Sequence, residues 1–191
     1  MLLPADDTHF HPYIGHGYQR EAYLKALPYV KDFSLAVDVG AHVGFWTLGM
    51  LKDFDEVHSF EPEPVNFACL SKNAPEAIRH NVALGEIHGL CHMETPAIHN
   101  SGAWEAREGG DIDVLPLDGF MLEPGLIKID VQGMELAVLK GAENTIITSK
   151  PVLVVECILN GIYSHEPERF LNGLGLKAVA QVNKDVIFAD L

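Results

Sequence analysis

The stretch from Ser34 to Leu51 constrains the fold of this chain more than any other part of its sequence. Its first half, Leu35 to Val39, is an apolar run typical of a β-strand, and its second half, Gly44 to Leu51, has the composition of a helix. Gly40 and Gly44 lie on the turn between the two halves, where glycine permits backbone conformations that other residues avoid. The sequence therefore predicts a strand, a tight glycine turn and a helix N-terminus.

Such a turn is suited to binding a ligand, because backbone N–H groups at the start of a helix have no partner within the helix. Its spacing does not match the Gly-x-Gly-x-x-Gly motif of dinucleotide-dependent dehydrogenases. With Gly40 as the first glycine, His42 and Phe45 occupy the other two positions. The actual pattern, with Asp38, Gly40 and Gly44, favours a different small polar cofactor over a nicotinamide dinucleotide.

A second signal follows about one strand and helix later. Glu56 to Phe60 is a predicted strand that ends at Glu61 and Pro62. In nucleotide-binding folds, an acidic residue about 20 positions after a glycine turn, at the end of the next strand, binds the hydroxyls of a ribose through its carboxylate. Glu61 is therefore the predicted ribose ligand.

Length and charge limit the possible functions. A chain of 191 residues predicts one domain over 1–191, with an arm or lid over residues 1–18 and the core over residues 34–190. The 27 acidic residues outnumber the 13 basic ones and give a net charge of −14. A surface of this sign repels polyanions, so nucleic acid is disfavoured as a partner.

Cysteine usage and the N-terminus indicate the compartment. Cys69, Cys91 and Cys157 lack the paired spacing of disulfides or zinc ligands. The first residues do not form a signal peptide, and the most apolar window, Leu35 to Leu51, contains Asp38 and His42 and is too short to span a bilayer. We therefore expect a soluble cytoplasmic protein that does not bind membranes.

The remaining patterns alternate between strands and helices. Predicted helices cover 19–30, 64–73, 135–149 with a break, and 167–171, with a short helix at 119–122. Predicted strands cover 78–84, 126–131 and 151–157, residues 112–118 are extended, residues 86–94 form an antiparallel hairpin, and 177–182 with 185–189 form a terminal hairpin. His9, His11 and His16 in the arm are interpreted as packing or surface histidines, because no acidic or cysteine partner lies close in sequence.

Four blocks of the chain resemble the FkbM family of methyltransferases, which use S-adenosylmethionine and act mostly on hydroxyl oxygens of sugars and natural products. The blocks are residues 37–44, 60–66, 81–85 and 126–142, of which the last, Leu126-Ile-Lys-Ile-Asp-Val-Gln-Gly-Met-Glu and onward, is the most specific. The likeness extends over about residues 18–157. One departure is Gln132, where the family frequently has glutamate.

The resemblance implies a Rossmann-like class I methyltransferase fold, an α/β architecture in which a doubly wound, mostly parallel seven-stranded sheet ends in an antiparallel hairpin. It also implies that S-adenosylmethionine is the cofactor. Asn66 and Asn81 fall where the resemblance implies further contacts with it, although isolated asparagines are more often caps or turn residues. The full predicted cofactor set is Asp38, Gly40, Ala41, His42, Gly44, Phe45, Glu61, Pro62, Asn66, Asn81 and Asp130.

An alcohol acceptor must lose a proton as it attacks the methyl group, so a base is needed near the sulfonium. Asp130 ends a buried strand at the carboxyl edge of the sheet and is the first candidate, followed by Glu135 and His42. Alternatively, Asp130 binds the amino group of the donor, Glu135 favours a helix dipole, and His42 covers the cofactor. Asp130, Glu135 and Glu156 together are also a possible divalent-cation site, although no metal is expected.

These observations predict O-methylation of a hydroxyl on a sugar, glycan or other small molecule. A catalytically silent cofactor-binding module of the same fold is the alternative, since fold does not imply activity.

Overall fold

A computed structural model describes residues 1–14, 18–95, 99–159 and 162–190 of the chain. Within these ranges the helices are α1 Arg20–Ala26, α2 Phe45–Met50, α3 Pro64–Asn73, α4 Glu135–Lys140, α5 Glu143–Ser149 and α6 Glu166–Gly173, with 3-10 helices at His11–Tyr13, Leu27–Tyr29 and Leu117–Phe120. The strands are β1 Leu35–Val39, β2 Glu56–Phe60, β3 Ile78–His80, β4 Ala83–Leu84, β5 Gly89–Glu94, β6 Glu105–Glu108, β7 Ile112–Leu115, β8 Leu126–Ile129, β9 Val152–Glu156, β10 Ile158–Leu159, β11 Ile162–Tyr163, β12 Lys177–Val182 and β13 Asp185–Ala189.

The central sheet has seven strands in the order β12-β13-β9-β8-β1-β2-β3. Strands β3, β2, β1, β8 and β9 are parallel, whereas β13 is antiparallel to both β9 and β12. The predicted doubly wound sheet with an antiparallel terminal hairpin is therefore confirmed. None of the helices in the described ranges is long and apolar enough to cross a bilayer.

Apolar side chains on the two faces of this sheet form two cores. Ala36, Leu126 and Val154 belong to the cluster under α1 and α2, whereas Ile127 and Leu153 belong to the cluster under α4, α5 and α6. Since these strands are covered on both faces, their sequences are continuous apolar runs rather than alternating ones. Burying the side chain of one of these leucine, isoleucine or valine residues stabilises the fold by about 1.5–3 kcal/mol.

The third predicted strand, residues 78–84, is divided in the structure. The chain turns at Asn81, whose Nδ2 donates to the carbonyl oxygens of Glu61 at 2.8 Å and Pro62 at 3.1 Å. These bonds hold the chain against the end of β2, so that β3 stays in the central sheet and β4 enters a second sheet. The prediction of one continuous strand was wrong, because β3 pairs with β2 whereas β4 pairs with β7.

The second sheet has four strands in the order β4-β7-β5-β6. The hairpin predicted within residues 86–94 was wrong in its extent, since 89–94 form one strand, β5, which pairs antiparallel with β6 at 105–108. Alternation of apolar and polar residues revealed the strand but not its partner, which lies beyond the Asn100-Ser-Gly turn. This sheet adds a wall above the carboxyl edge of the central sheet.

Gly40 lies where β1 ends and its backbone meets the end of β8. Its φ is +74°, and a Cβ there would lie 1.9 Å from the carbonyl oxygen of Asp130. Both the backbone conformation and the close approach therefore require glycine at this position.

We expect Gly40→Ala to lower the free energy of unfolding by at least about 3 kcal/mol, because it combines a left-handed backbone with a steric overlap. Gly173→Ala is the control: Gly173 lies in α6, and a Cβ there would meet nothing within 4 Å. That change should alter stability by less than about 1 kcal/mol. Denaturant unfolding measures both, and equal losses would contradict the stated role of Gly40.

A pair of histidines links β2 to β3. Nδ1 of His58 lies 3.1 Å from Nε2 of His80, and Nε2 of His58 lies 2.9 Å from Oε1 of Glu56. The His80 ring stacks on Phe60 with centroids 4.4 Å apart. Burial and the neighbouring His58 lower the pKa of His80 below its ordinary 6.5.

A histidine whose folded pKa is lowered binds fewer protons than in the unfolded chain, so its full stabilising contribution is present above pH 6.5 and declines as the pH falls below that value. We expect His80→Gln, which does not titrate, to lose less stability than the natural protein between pH 7.5 and 5.5. Thermal unfolding across this range is the measurement, with His11→Gln, at an exposed position in the arm, as the control. Parallel curves for the natural protein and His80→Gln would contradict this account.

Candidate functional site

A cleft of about 890 Å³, part of it open to solvent, lies at the carboxyl edge of the central sheet between β1 and β8. The helices that follow β1 and β8 pack on opposite faces of the sheet. Open α/β sheets bind ligands at the point where the connections diverge in this way. We call this cleft the donor cleft, because the sequence analysis predicts that the methyl donor binds here. Its walls come from the turn after β1, the ends of β2 and β8, the β3–β4 segment, the loop at residues 101–104 and the arm.

The turn after β1 is held by backbone contacts to β2 and β8. The N–H groups of Gly40 and Ala41 both donate to the carbonyl oxygen of Phe60 at 3.0 Å. His42 has a φ of 54° and Gly44 a φ of 98°, so the turn contains left-handed residues at both positions. It presents Gly40, Ala41 and His42 to the cleft as a compact backbone surface.

Glu61 lies at the end of β2 and is only 5% exposed. Its Oε2 accepts from the N–H of His42 at 2.8 Å and its Oε1 from the N–H of Glu63 at 2.9 Å. Burial raises the pKa of Glu61 to about 7, and these two donors offset the shift only in part. The carboxyl group is thus positioned on the glycine turn while each oxygen retains a further lone pair for a ligand.

Asn66 at the start of α3 faces the same cleft. Its Nδ2 donates to the carbonyl oxygen of Ser101 at 2.9 Å, and its buried Oδ1 finds no hydrogen-bond partner among the described residues. A buried acceptor without a partner costs free energy until a donor reaches it. This oxygen is therefore a candidate contact for an N–H or O–H group of a ligand.

The arm is connected to the glycine turn by a chain of polar side chains. Ser101 Oγ donates to Asp7 Oδ2, and His42 Nε2 lies 2.6 Å from Ser101 Oγ. Because the Ser101 hydroxyl donates its only proton to Asp7, it must accept in its hydrogen bond with His42. Nε2 of His42 is therefore the donor and carries the ring proton. Burial lowers the pKa of His42 to about 4, so the ring is neutral at neutral pH.

Lys128 in β8 is a buried cation beneath the glycine turn. Its Nζ donates to the carbonyl oxygen of Gly40 at 2.9 Å and lies 3.6 Å from Asp38 Oδ1 and 3.8 Å from Asp130 Oδ2. Burial works to lower the pKa of Lys128, but the surrounding carboxylates hold it above its ordinary value. Asp38 itself is fully buried and accepts a hydrogen bond from Thr47 Oγ1 at 2.7 Å.

Asp130 and Glu156 form a hydrogen-bonded carboxyl pair at the ends of β8 and β9. Nε2 of Gln132 bridges them, at 3.0 Å from Asp130 Oδ1 and 3.1 Å from Glu156 Oε2. Burial works to raise the pKa of Asp130, yet Lys128 and the hydrogen bonds hold it below its ordinary range. Burial and Asp130 raise the pKa of Glu156, so the proton of this pair lies on Glu156.

Gln19 and Asp185 complete this cluster. Oε1 of Gln19 accepts from Trp46 Nε1 at 2.6 Å, and its Nε2 lies 3.4 Å from Asp130 Oδ2 and 3.5 Å from Asp185 Oδ1. Burial and Asp130 raise the pKa of Asp185 to about 7.

Most of the cofactor residues predicted from the sequence meet in the donor cleft: Gly40, Ala41, His42, Phe45, Glu61, Pro62, Asn66 and Asp130 all line it. Asp38, Gly44 and Asn81 do not. Asp38 pairs with Lys128 under the turn, Gly44 begins α2, and Asn81 positions the backbone of Glu61 and Pro62. The structure thus gives these three residues supporting contacts.

Glu135, a predicted catalytic residue, does not line the donor cleft either. Its Oε1 accepts from the N–H groups of Gly133 at 3.0 Å and Val131 at 3.3 Å, so it stabilises the turn after β8. With this carboxylate engaged, Asp130, Glu135 and Glu156 do not converge, and no group of three metal-binding side chains occurs in the described ranges. His16 of the arm lies outside the described residues.

Several residues of the donor cleft were missed by the sequence analysis. Lys128 had a signal, since a lysine within the apolar run Leu126 to Ile129 requires a buried partner. Ser101, Trp104 and Met93 come from the second sheet and its loop, whose position depends on long-range pairing that no local pattern indicates. Phe10 and Tyr18 reach the cleft from the arm, with ring centroids 5.7 and 5.9 Å from Phe45.

Two solved structures with similar folds are methyltransferases. An FkbM methyltransferase from Methylobacillus flagellatus matches with a TM-score of 0.56 and 24% identity, over 81% of this chain and 42% of that one. A TehB-like S-adenosylmethionine-dependent methyltransferase from Corynebacterium glutamicum matches with a TM-score of 0.53 and 13% identity, over 95% and 94%. The expected class I methyltransferase fold is confirmed, and the chain spans less than half of the FkbM structure.

The sequence comparisons give the family. The hexuronic acid methyltransferase AglP of Haloferax volcanii is 27% identical over 163 residues, which cover 79% of this chain and 67% of that protein. The model of the methyltransferase FkbM domain matches residues 38–173, from the buried aspartate of the glycine turn to the end of α6. This protein therefore belongs to the FkbM family of methyltransferases, whose methyl donor is S-adenosylmethionine.

Proposed function

We propose that this protein transfers the methyl group of S-adenosylmethionine to a hydroxyl oxygen of a sugar or sugar-containing small molecule. One observation carries the proposal: an ionised carboxylate, Asp130, lines the same cleft as the glycine turn and the ribose-binding candidate Glu61. The name of the Haloferax volcanii relative, a hexuronic acid methyltransferase, supports a sugar acceptor. That nucleic acid is not a partner of this protein stays a prediction, which rests on the net charge of −14.

The residues of the donor cleft fit the proposed donor. Glu61 has free lone pairs for two ribose hydroxyls, and the unpartnered Oδ1 of Asn66 suits an amino group. When bound, S-adenosylmethionine supplies an electrophilic methyl group on a positively charged sulfur.

The chain contributes orientation and exclusion of water. Phe10, Tyr18 and Phe45 line the donor cleft with aromatic rings that contact one another, and the glycine turn forms a further part of its wall. Holding two reacting groups at near-attack distance lowers a barrier by about 7–11 kcal/mol, provided that their geometry is maintained.

Asp130 is the proposed proton acceptor. A hydroxyl becomes strongly acidic as its oxygen bonds to the methyl carbon, so an ionised carboxylate is a sufficient base. Lys128 keeps Asp130 ionised, whereas Glu156 already holds a proton and Nε2 of His42 is engaged with Ser101 Oγ at 2.6 Å. Gln132 and Gln19 orient the Asp130 carboxylate from two sides.

We expect Glu61→Gln to weaken S-adenosylmethionine binding by about 10- to 100-fold, because an amide NH₂ replaces an oxygen that accepts hydrogen bonds. Calorimetric titration measures the Kd. Glu56→Gln is the matched control, since Glu56 is exposed at the opposite end of the same strand. Unchanged affinity in Glu61→Gln would show that this carboxylate does not bind the ribose.

We expect Asp130→Asn to lower kcat by at least about 100-fold while the Kd of S-adenosylmethionine changes little, because an amide cannot accept the proton. Single-turnover transfer of a labelled methyl group to sugars measures the step. Asp185→Asn, which neutralises a carboxyl group of the same cluster that does not line the cleft, should retain most activity. Equal losses in donor affinity and turnover would assign Asp130 a binding role instead.

A further inference from the structure

A second cleft lies beside the donor cleft, between the N-terminal arm, α1 and α2. It encloses about 1420 Å³, part of it open to solvent, and we call it the arm cleft. Tyr18, Phe45 and Trp46 line both clefts, so the two spaces are separated by the thickness of single side chains. A ligand larger than one sugar unit can therefore occupy the arm cleft while its reactive end lies at the donor cleft.

The arm cleft carries an excess of positive charge. Arg20 and Lys52 are exposed on its wall, and neither side chain has an ion-pair partner among the described residues. The acidic residue on the same wall, Asp53, accepts a hydrogen bond from Tyr23 OH at 2.7 Å. Nearby Glu21 is paired with Lys25 at 2.9 Å.

This charge is opposite to that of the chain as a whole. The chain has 27 acidic and 13 basic residues, so a wall with two unpaired cations differs in sign from the protein as a whole and favours an anion at that place. Arginine binds carboxylate and phosphate groups through two parallel hydrogen bonds, and lysine adds a mobile point charge.

The other walls are aromatic and apolar. Tyr13 and Tyr18 are in contact, with ring centroids 5.1 Å apart, and Tyr18 lies 5.9 Å from Phe45. Aromatic rings offer flat surfaces to the C–H faces of sugars, while cations beside them bind charged substituents. A neutral apolar ligand would leave Arg20 and Lys52 unused, and a bare inorganic ion would leave the aromatic walls unused.

We propose that the arm cleft is the acceptor subsite and that Arg20 and Lys52 select sugars carrying an anionic group, either a carboxylate or a phosphate. This inference rests on the proposed sugar O-methylation and adds the chemical class of the acceptor. The anion binds beside the two cations, the sugar ring packs on the tyrosines, and the hydroxyl to be methylated extends past Tyr18 towards Asp130.

The test compares binding of four probes to the full chain saturated with S-adenosylhomocysteine: p-nitrophenyl glucuronide, its methyl ester, p-nitrophenyl glucoside and glucose 6-phosphate. We expect the glucuronide to bind about tenfold more tightly than its ester and the glucoside, as a charge-assisted pair would provide. Tight binding of glucose 6-phosphate alone would assign the anion as phosphate. Equal binding of charged and neutral probes, or no binding of any probe, would overturn the proposal.

A double variant with Arg20→Gln and Lys52→Gln should bind the glucuronide no more tightly than its methyl ester and the glucoside. The Kd of S-adenosylmethionine should be unchanged in this variant. The matched control combines Arg169→Gln and Lys177→Gln, two exposed cations that line neither cleft. If the double variant of Arg20 and Lys52 still binds the glucuronide more tightly than the neutral probes, these two residues do not select the anionic group.

A labelled-methyl assay on the same probes separates the two proposals. Methylation of the neutral glucoside as fast as of the charged sugars would retain O-methylation and overturn anion selection. Tight binding of charged probes without methylation of any sugar would retain the anion site and overturn the proposed function.

Discussion

The buried ammonium group of Lys128 holds together the part of the fold on which the site depends. It lies under the glycine turn, where it donates to the carbonyl oxygen of Gly40 and neutralises Asp38 and Asp130. Three charged groups out of water cost several kcal/mol each unless they are paired, and the loss of one partner from such a set costs about 3–5 kcal/mol. The end of β1, the end of β8 and the turn between β1 and α2 are consequently fixed relative to one another.

The same cation influences the carboxyl cluster at the edge of the sheet. Because Lys128 favours the ionised form of Asp130, the proton of the Asp130 and Glu156 pair lies on Glu156. Gln132 fits this arrangement because its amide donates to both groups. A glutamate there, which is frequent in the FkbM family, would instead add another negative charge beside Asp130 and Glu156.

Local sequence patterns were sufficient for much of the fold and for one side of the site. The glycine turn and the position of Glu61 at the end of β2 could be predicted because strand ends and turns have residue preferences over a few positions, whereas ribose binding by Glu61 stays a prediction. The closing hairpin was predicted with its observed bounds, 177–182 and 185–189.

Other residues of the site could not be predicted correctly from local patterns. Asn81 and Glu135 were predicted to be site residues from their positions in the chain, whereas the structure shows that their side chains bind backbone groups. Ser101 is placed by contacts with His42 and Asp7, which are 59 and 94 residues away in the sequence, and Phe10 by a contact with Phe45, beyond α1 and β1. No local periodicity encodes such contacts.

The wall shared by the two clefts limits how the protein can be redesigned. Trp46 is nearly buried, contributes to both spaces and fixes Gln19 through its indole N–H. A directed-evolution library that varies Trp46 would therefore disturb both clefts together, and its losses would be hard to interpret. Leu24, which lines the arm cleft and not the donor cleft, is a position where the proposed acceptor range could be varied without disturbing the donor cleft.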